Sequence, residues 1–275
     1  MTIVAITREM GTLGKDVATG LGEALGLPVI YHEIIDNLAD RMRVRRSHVV
    51  RLLDGKAGLL ERLTADQTSL FLHSADEVID YARQGKGAII RGWGATHLLR
   101  DVPHAICIRV CAPLEVRKHR MMERYDTDDD ATIEAEIQSN DEAHGAIMRR
   151  HFGIQWTDPE HYDVVFNTKR VSVEECVDEL LNLVRLPKFA ETGAARQRLD
   201  DLALAAKVRA ALRISPETRD KKVRVSCESG RAILSSTHLK TNERLAVVEV
   251  VVGVPGVRDI GWRTRDRGEE RARVH

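Results

Sequence analysis

Ile6-Thr7-Arg8-Glu9-Met10-Gly11-Thr12-Leu13-Gly14-Lys15-Asp16-Val17 joins a short apolar segment, Ile3–Ile6, to a helix-like one, Lys15–Leu25, which Gly26-Leu27-Pro28 ends. A strand-to-helix turn with two glycines points backbone N–H groups and the positive end of a helix at one spot, which suits a phosphate. Lys15 adds a compact positive charge there. Gly11, Thr12, Leu13, Gly14, Lys15 and Asp16 are therefore the candidate phosphate-binding residues. The spacing departs from G-x-x-x-x-G-K-[ST]. Glu9 stands where the first glycine would fall, and Asp16 replaces the hydroxyl that helps hold magnesium. Many such turns contain glycine for steric reasons only, so a purely structural turn is the alternative.

On either side of this turn the chain alternates. Gly87–Ile90 and Ala105–Val110 read as further strands and Val164–Phe166 as a short fourth. Residues 45–84, Pro113–Tyr125, Ala131–His151 and Ser172–Arg185 read as helices. In the long helical stretch Leu52, Leu53, Leu59, Leu60, Leu63, Leu70, Phe71, Val78 and Ile79 form an apolar stripe. Ser172 with Glu175 three residues later makes a capping box. Strands alternating with helices predict an α/β domain over residues 1–187, a parallel sheet covered on both faces.

Residues 188–198 lack a sustained pattern and read as a linker. The order then changes to helix (Leu199–Leu212), strand (Val223–Cys227), strand (Ala232–Ser235), helix (Asn242–Val252) and strand (Val257–Trp262). Glu228-Ser229-Gly230-Arg231 serves as a hairpin turn. This predicts a small α+β domain over residues 199–264, followed by a charged tail, 265–275. The chain of 275 residues is neutral overall, yet residues 1–187 carry a net charge of −7 and residues 188–275 a net charge of +7. Besides ordinary scatter, opposite signs admit attraction between two domains or an anionic partner for the basic one. The pattern carries no strong nucleic-acid signal. An apolar share of 43% excludes a wholly disordered chain. No apolar run reaches the ~18 residues of a membrane span. With no secretory leader, and four cysteines that suggest no disulfide framework, the expectation is a reducing, cytoplasmic setting.

Three further groups could carry chemistry. Arg117, Arg120 and Arg124 fall at i, i+3 and i+7, on one helix face. Such a face neutralises a polyphosphate during transfer, or is simply solvated and paired with Glu115 and Glu123. Arg91-Gly92-Trp93-Gly94 follows a strand, where ligands bind in open parallel sheets; a tight turn around a buried Trp93 is the alternative. His144 and His151 have no metal-ligand spacing with cysteine and read as structural. Asp126 to Asp130 read as partners of a helix dipole.

The Thr7-Arg8-Glu9 and Gly11-to-Lys15 pattern resembles the nucleotide-binding turn of the cytidylate kinase-like family, with Leu13 where a glycine is usual. Ile108 to Arg117, Phe152 to Trp156 and Tyr162 to Thr168 resemble later segments of the same family, so the likeness spans roughly residues 1–185. It implies a P-loop kinase fold that transfers a phosphoryl group from ATP, with Mg²⁺, to a nucleoside monophosphate such as CMP or dCMP. On that resemblance Gly11 to Asp16 would form the phosphate loop and Lys15 would stabilise the migrating group. Asp16 would face the metal, and Arg117, Arg120 and Arg124 would belong to the lid. Arg91, Trp93 and Asp141 would meet the acceptor. Trp93, Ile137 and His144 stand where the family usually places arginine, which leaves a catalytically impaired nucleotide-binding regulator as the alternative. Residues 199–263 resemble a BON domain, which implies regulation or docking through a protein or an anionic lipid.

Overall fold

Ile3, Val4, Ala5 and Ile6 have no exposed surface at all. Four consecutive buried residues need cover on both faces of their strand, as the interior of a helix-covered parallel sheet supplies. The computed structural model describes residues 1–53, 67–92 and 94–263. It sets these four in β1 (Thr2–Arg8), the middle strand of a five-stranded sheet of order β2-β3-β1-β4-β5. The others are β2 (Val29–Ile30), β3 (Gly87–Arg91), β4 (Ala105–Cys111) and β5 (Val164–Asn167). Every pairing is parallel, as the alternation predicts. The chain leaves β1 for one edge and leaves β3 for the other, so a crevice opens beyond the C-terminal ends of those strands.

The helices of this part are α1 (Gly14–Leu25), α2 (His32–Met42), α3 (Arg46–Leu53), α4 (Gln67–Arg83), α5 (Ala95–Leu98), α6 (Leu114–Tyr125), α7 (Asp130–Phe152) and α8 (Val173–Val184). On one side, Val17 and Leu21 of α1 and Cys176 and Leu180 of α8 close over Val4, Ile6, Ile106, Ile108 and Phe166. Burying such a side chain is worth ~1.5–3 kcal/mol, so this packing far outweighs local propensity. The caps agree with the sequence: Glu175 N donates to Ser172 Oγ at 3.1 Å, and Ser172 N to Glu175 Oε2 at 2.8 Å. Asp129 caps α7 by accepting from Thr132 N at 3.0 Å.

Two expectations change. The helical stretch at 45–84 is α3 and α4 within the described residues, and Leu59, Leu60 and Leu63 lie outside them. The strand β2 carries no legible pattern, since two residues cannot show a period of two, whereas α2 was legible from apolar residues at i, i+1, i+4 and i+5. Ile34, Ile35, Leu38 and Ala39 bury one face of α2.

The chain divides into compact units at Met1–Ala195 and Arg196–His275. Regular structure begins inside the expected linker, because α9 spans Gly193–Ile214. Thr192 Oγ1 accepts from Ala195 N at 3.1 Å, and Gln197 donates to Asp201 Oδ1 at 3.0 Å, one turn on. These bonds extend the helix beyond its apolar stripe. The second unit adds β6 (Arg224–Glu228), β7 (Arg231–Ser235), α10 (Thr241–Val252) and β8 (Asp259–Trp262). In the sheet β6-β7-β8, β6 pairs with β7 antiparallel and β7 with β8 parallel. Its core is Val208, Leu212, Cys227, Ala232, Leu234, Val247 and Val251. The expected tail, 265–275, lies outside the described residues.

Candidate phosphate-binding site

The turn Glu9–Leu13 crosses the C-terminal end of the central strand and enters α1. Gly11 takes φ +80°, and a Cβ there would stand 2.8 Å from the carbonyl oxygen of Arg117. At Gly14 a Cβ would meet Cβ of Arg8 at 2.7 Å. Backbone packed this closely against α6 and β1 permits no side chain at either position. Leu13 takes the left-handed conformation too, φ 59° and ψ 14°, without being glycine. Thr12 is buried; its Oγ1 donates to Glu9 O at 2.8 Å, and its carbonyl accepts from Thr168 Oγ1 at 2.8 Å. The turn is thus pinned from both sides. Lys15 and Asp16 are exposed at the first turn of α1, where the Asp16 amide donates to Leu13 O at 3.0 Å and the amides before it precede the first helical bond. Lys15 has no ion pair among the described residues.

Beside this turn stands a wall of buried charge. Glu9, at 8% exposure, receives a short hydrogen bond from Arg109 of β4 and the amide of Ala112 at 3.4 Å. Arg117 of α6 lies with Nε 3.7 Å from Glu9 Oε2 and donates from Nη1 to Asp141 Oδ2 of α7 at 2.7 Å. Arg109 also lies over the ring of Trp156, 5.4 Å from its centroid. Charges taken out of water this far must be paired, and here they pair in the chain Arg109–Glu9–Arg117–Asp141. The Nε atoms of Arg109 and Arg117 and Asp141 Oδ1 are buried without a partner. Burial raises the Asp141 carboxyl above its ordinary value, against the lowering bond from Arg117.

The three arginines expected on one face of α6 part ways. Arg117 turns into the wall. Arg120 donates to Thr168 Oγ1 at 3.0 Å, Thr168 O at 2.8 Å and Gly11 O at 3.4 Å, so it braces the turn. Arg124 is exposed in the last turn. Glu115 and Glu123 meet Lys118 and His119 instead, both at 3.7 Å.

Arg91, at the end of β3, is buried with its guanidinium 4.1 Å over the ring of Tyr31 and its Nε unpartnered. Burial and then Arg8 lower its pKa, while Tyr31 and Asp16 oppose them. Trp93 lies outside the described residues. Ile137 is fully buried with Met121 and Ile133, between α6 and α7. His144, one turn from Asp141, contacts Thr7 Oγ1 at 3.3 Å and packs edge-on to Trp156 at 4.3 Å. Burial, with Arg8 and Arg109, lowers its pKa to about 4, so the ring is neutral at pH 7.

Glu9, Arg109, Thr168, Trp156 and Tyr31 had no role assigned from sequence. Arg109 was readable: one cation inside the apolar strand Ala105–Cys111 requires a buried carboxylate. Tyr31 offers no comparable signal. No cluster of three metal-binding side chains occurs among the described residues. Magnesium that arrives with a nucleotide needs only one or two carboxylates beside the phosphates, and the exposed Asp16 fits that demand. No described helix is long and apolar enough to cross a membrane.

A parallel sheet with this strand order, and a glycine turn and lysine beyond its central strand, defines a P-loop kinase-like fold. The chain belongs to the cytidylate kinase-like family, which residues 3–170 match. An uncharacterized protein from Eubacterium ventriosum shares 20% identity at a TM-score of 0.53, over 67% of this chain and 98% of its own. Shikimate kinase from Bacteroides thetaiotaomicron shares 14% identity at a TM-score of 0.43, over 67% and 99%. The YorR protein of Bacillus subtilis, in complex with phosphorylated GDP, shares 18% at 0.37, over 70% and 100%. At such identities the likeness to the Eubacterium protein concerns the fold alone. No curated protein matches the chain.

Proposed function

We propose that the protein transfers the terminal phosphoryl group of ATP to a nucleoside monophosphate of the CMP or dCMP kind. The observation that carries this reading is the pinned glycine turn with an unpaired Lys15 at its helix entrance, in a chain of the cytidylate kinase-like family. Phosphoryl transfer asks the protein for positioning and charge neutralisation more than covalent chemistry. An oxygen of the acceptor phosphate bonds to the γ-phosphorus as the bridging P–O bond breaks and ADP departs. Lys15 and the loop amides hold the donor phosphates, and Arg91 faces the acceptor phosphate. Asp141 Oδ1, buried without a donor, accepts from an amino group of the acceptor base. When bound with the nucleotide, magnesium supplies neutralisation between phosphates, and Asp16 is placed to hold it directly or through water.

The test is a coupled assay with ATP, Mg²⁺ and a panel of nucleoside monophosphates. Turnover of a pyrimidine monophosphate, reduced ~10²–10³-fold by Lys15→Ala, is expected. No turnover of any acceptor would sink the reading. One observation favours a second reading, a nucleotide-binding regulator without transfer: Arg117 and Arg120 are engaged by internal partners rather than open to phosphate. Calorimetry that shows ATP binding sensitive to Lys15→Ala, with no product, would select it.

A further inference from the structure

The second unit carries a charge pattern that the kinase reading does not use. Its sheet turns one row of side chains, Leu234 and Trp262 among them, toward the core formed with α9 and α10. Alternate residues point to the opposite, outer face. At one end of that face Arg231 lies between Glu228 and Asp259 across the strands, with Arg231 Nε 3.0 Å from Asp259 Oδ2. The cross-strand row there reads negative, positive, negative.

The opposite end reverses the pattern. Arg224 pairs across with Ser235. Arg263 follows Trp262 in register on the other side and donates its amide to Leu234 O at 2.8 Å. Two cations there flank a hydroxyl on strands about 9.6 Å apart, and Lys222 adds a third. Lys222, Arg224 and Arg263 have no ion pair among the described residues. These three, with Val223, Ser235, Ser236 and Thr237, line a cavity of about 240 Å³ with no carboxylate among its described lining residues. Ser236 Oγ donates to Lys222 O at 2.8 Å and ties the two rims together. Among the described residues, the row that balances its charge at the other end has no anion here.

We propose that this cavity binds a phosphate group, carried by a soluble phosphorylated molecule or by a lipid headgroup. Three cations and the hydroxyls of Ser235 and Thr237 suit a tetrahedral oxyanion, which accepts charge-assisted bonds from several directions.

The experiment titrates isotope-labelled full chain with inorganic pyrophosphate and reads amide shifts at Ser235, Ser236 and Thr237 apart from those at Gly11 to Lys15. Sodium chloride at matched ionic strength is the control. Saturable shifts at Ser235 to Thr237 are expected. The double variant Arg224→Glu, Arg263→Glu should weaken them at least roughly tenfold while leaving the shifts at Gly11 to Lys15 in place. Dispersed, parent-like amide signals from Leu234, Val247 and Val251, in the core of the second unit, report that the variant is folded. A second arm follows co-sedimentation with phosphatidylcholine vesicles containing phosphatidic acid. Loss of co-sedimentation in the double variant assigns the phosphate to a lipid, whereas pyrophosphate binding without co-sedimentation assigns it to a soluble ligand. Neither probe bound, shifts equal to those with sodium chloride, or a double variant that binds like the parent would each overturn the proposal.

Discussion

Lys15 and Arg117 border the same crevice and are treated in opposite ways. Lys15 stands in solvent at the mouth of α1, with no carboxylate paired to it among the described residues. Arg117 is buried against Glu9 and Asp141. The turn leaves its cation without a carboxylate among the described residues, which on the proposed function a ligand would supply, whereas the wall brings its own. The difference teaches that one half of the site answers to ligand affinity and the other to folding stability, and substitutions should separate the two.

The largest effect is expected at Glu9. Glu9→Ala strands the buried guanidinium of Arg109 and leaves Arg117 with Asp141 alone, and should cost ~3–5 kcal/mol, because one partner of a buried ion network is removed. Urea denaturation measures it, and a loss below ~1 kcal/mol would mean the wall is no more than a surface pairing. Next comes the pH response of His144. Its folded pKa, about 4, lies below the ordinary 6.5, so the unfolded chain binds the proton more readily. The stability it contributes is complete above pH 6.5 and is lost as the pH falls toward 4, by up to ~3 kcal/mol. His97 is lowered to about 4 as well, by burial and then by Arg100. His151 is lowered too, by burial and then by Arg150, so His144→Gln should flatten part of the acid-side slope in denaturation at stepped pH, and an unchanged slope contradicts the assignment.

Thr168→Val tests the join between turn and wall. It removes the bonds to Thr12 O and from Arg120 Nη1 and should cost ~1–2 kcal/mol, with weaker ATP binding in calorimetry. Unchanged affinity would show that the brace does not shape the loop. Smallest is Leu13→Gly. A leucine at φ 59° carries ~1 kcal/mol of left-handed strain, so glycine should raise the denaturation midpoint. A lower midpoint would mean that Leu13 contacts outweigh the strain.

How much of this was readable follows from the range of each interaction. The sheet shows in Ile3–Ile6 and Ala105–Val110 because burial on both faces forces near-continuous apolar runs, the second interrupted only by Arg109. The strand-to-helix turn at Gly11 and Gly14 shows because its glycines are local. Arg117, Arg120 and Arg124 share a face by spacing, but their directions depend on Glu9, Asp141 and Thr168, which are distant in sequence. The pairing of Glu9 with Arg109 spans a hundred residues and has no local signature. Ile137 reads from sequence only as a missing arginine, whereas three-dimensional packing gives it its own task between two helices.

The contact at Gly11 has a mechanical consequence. Backbone touches backbone where the turn meets Arg117, with no side chain between them to take up slack. The first turn of α6 is thereby geared to the floor of the crevice and cannot swing as a gate. Any swing of that helix over the crevice would have to hinge farther along, nearer Asp126, whose left-handed backbone ends it.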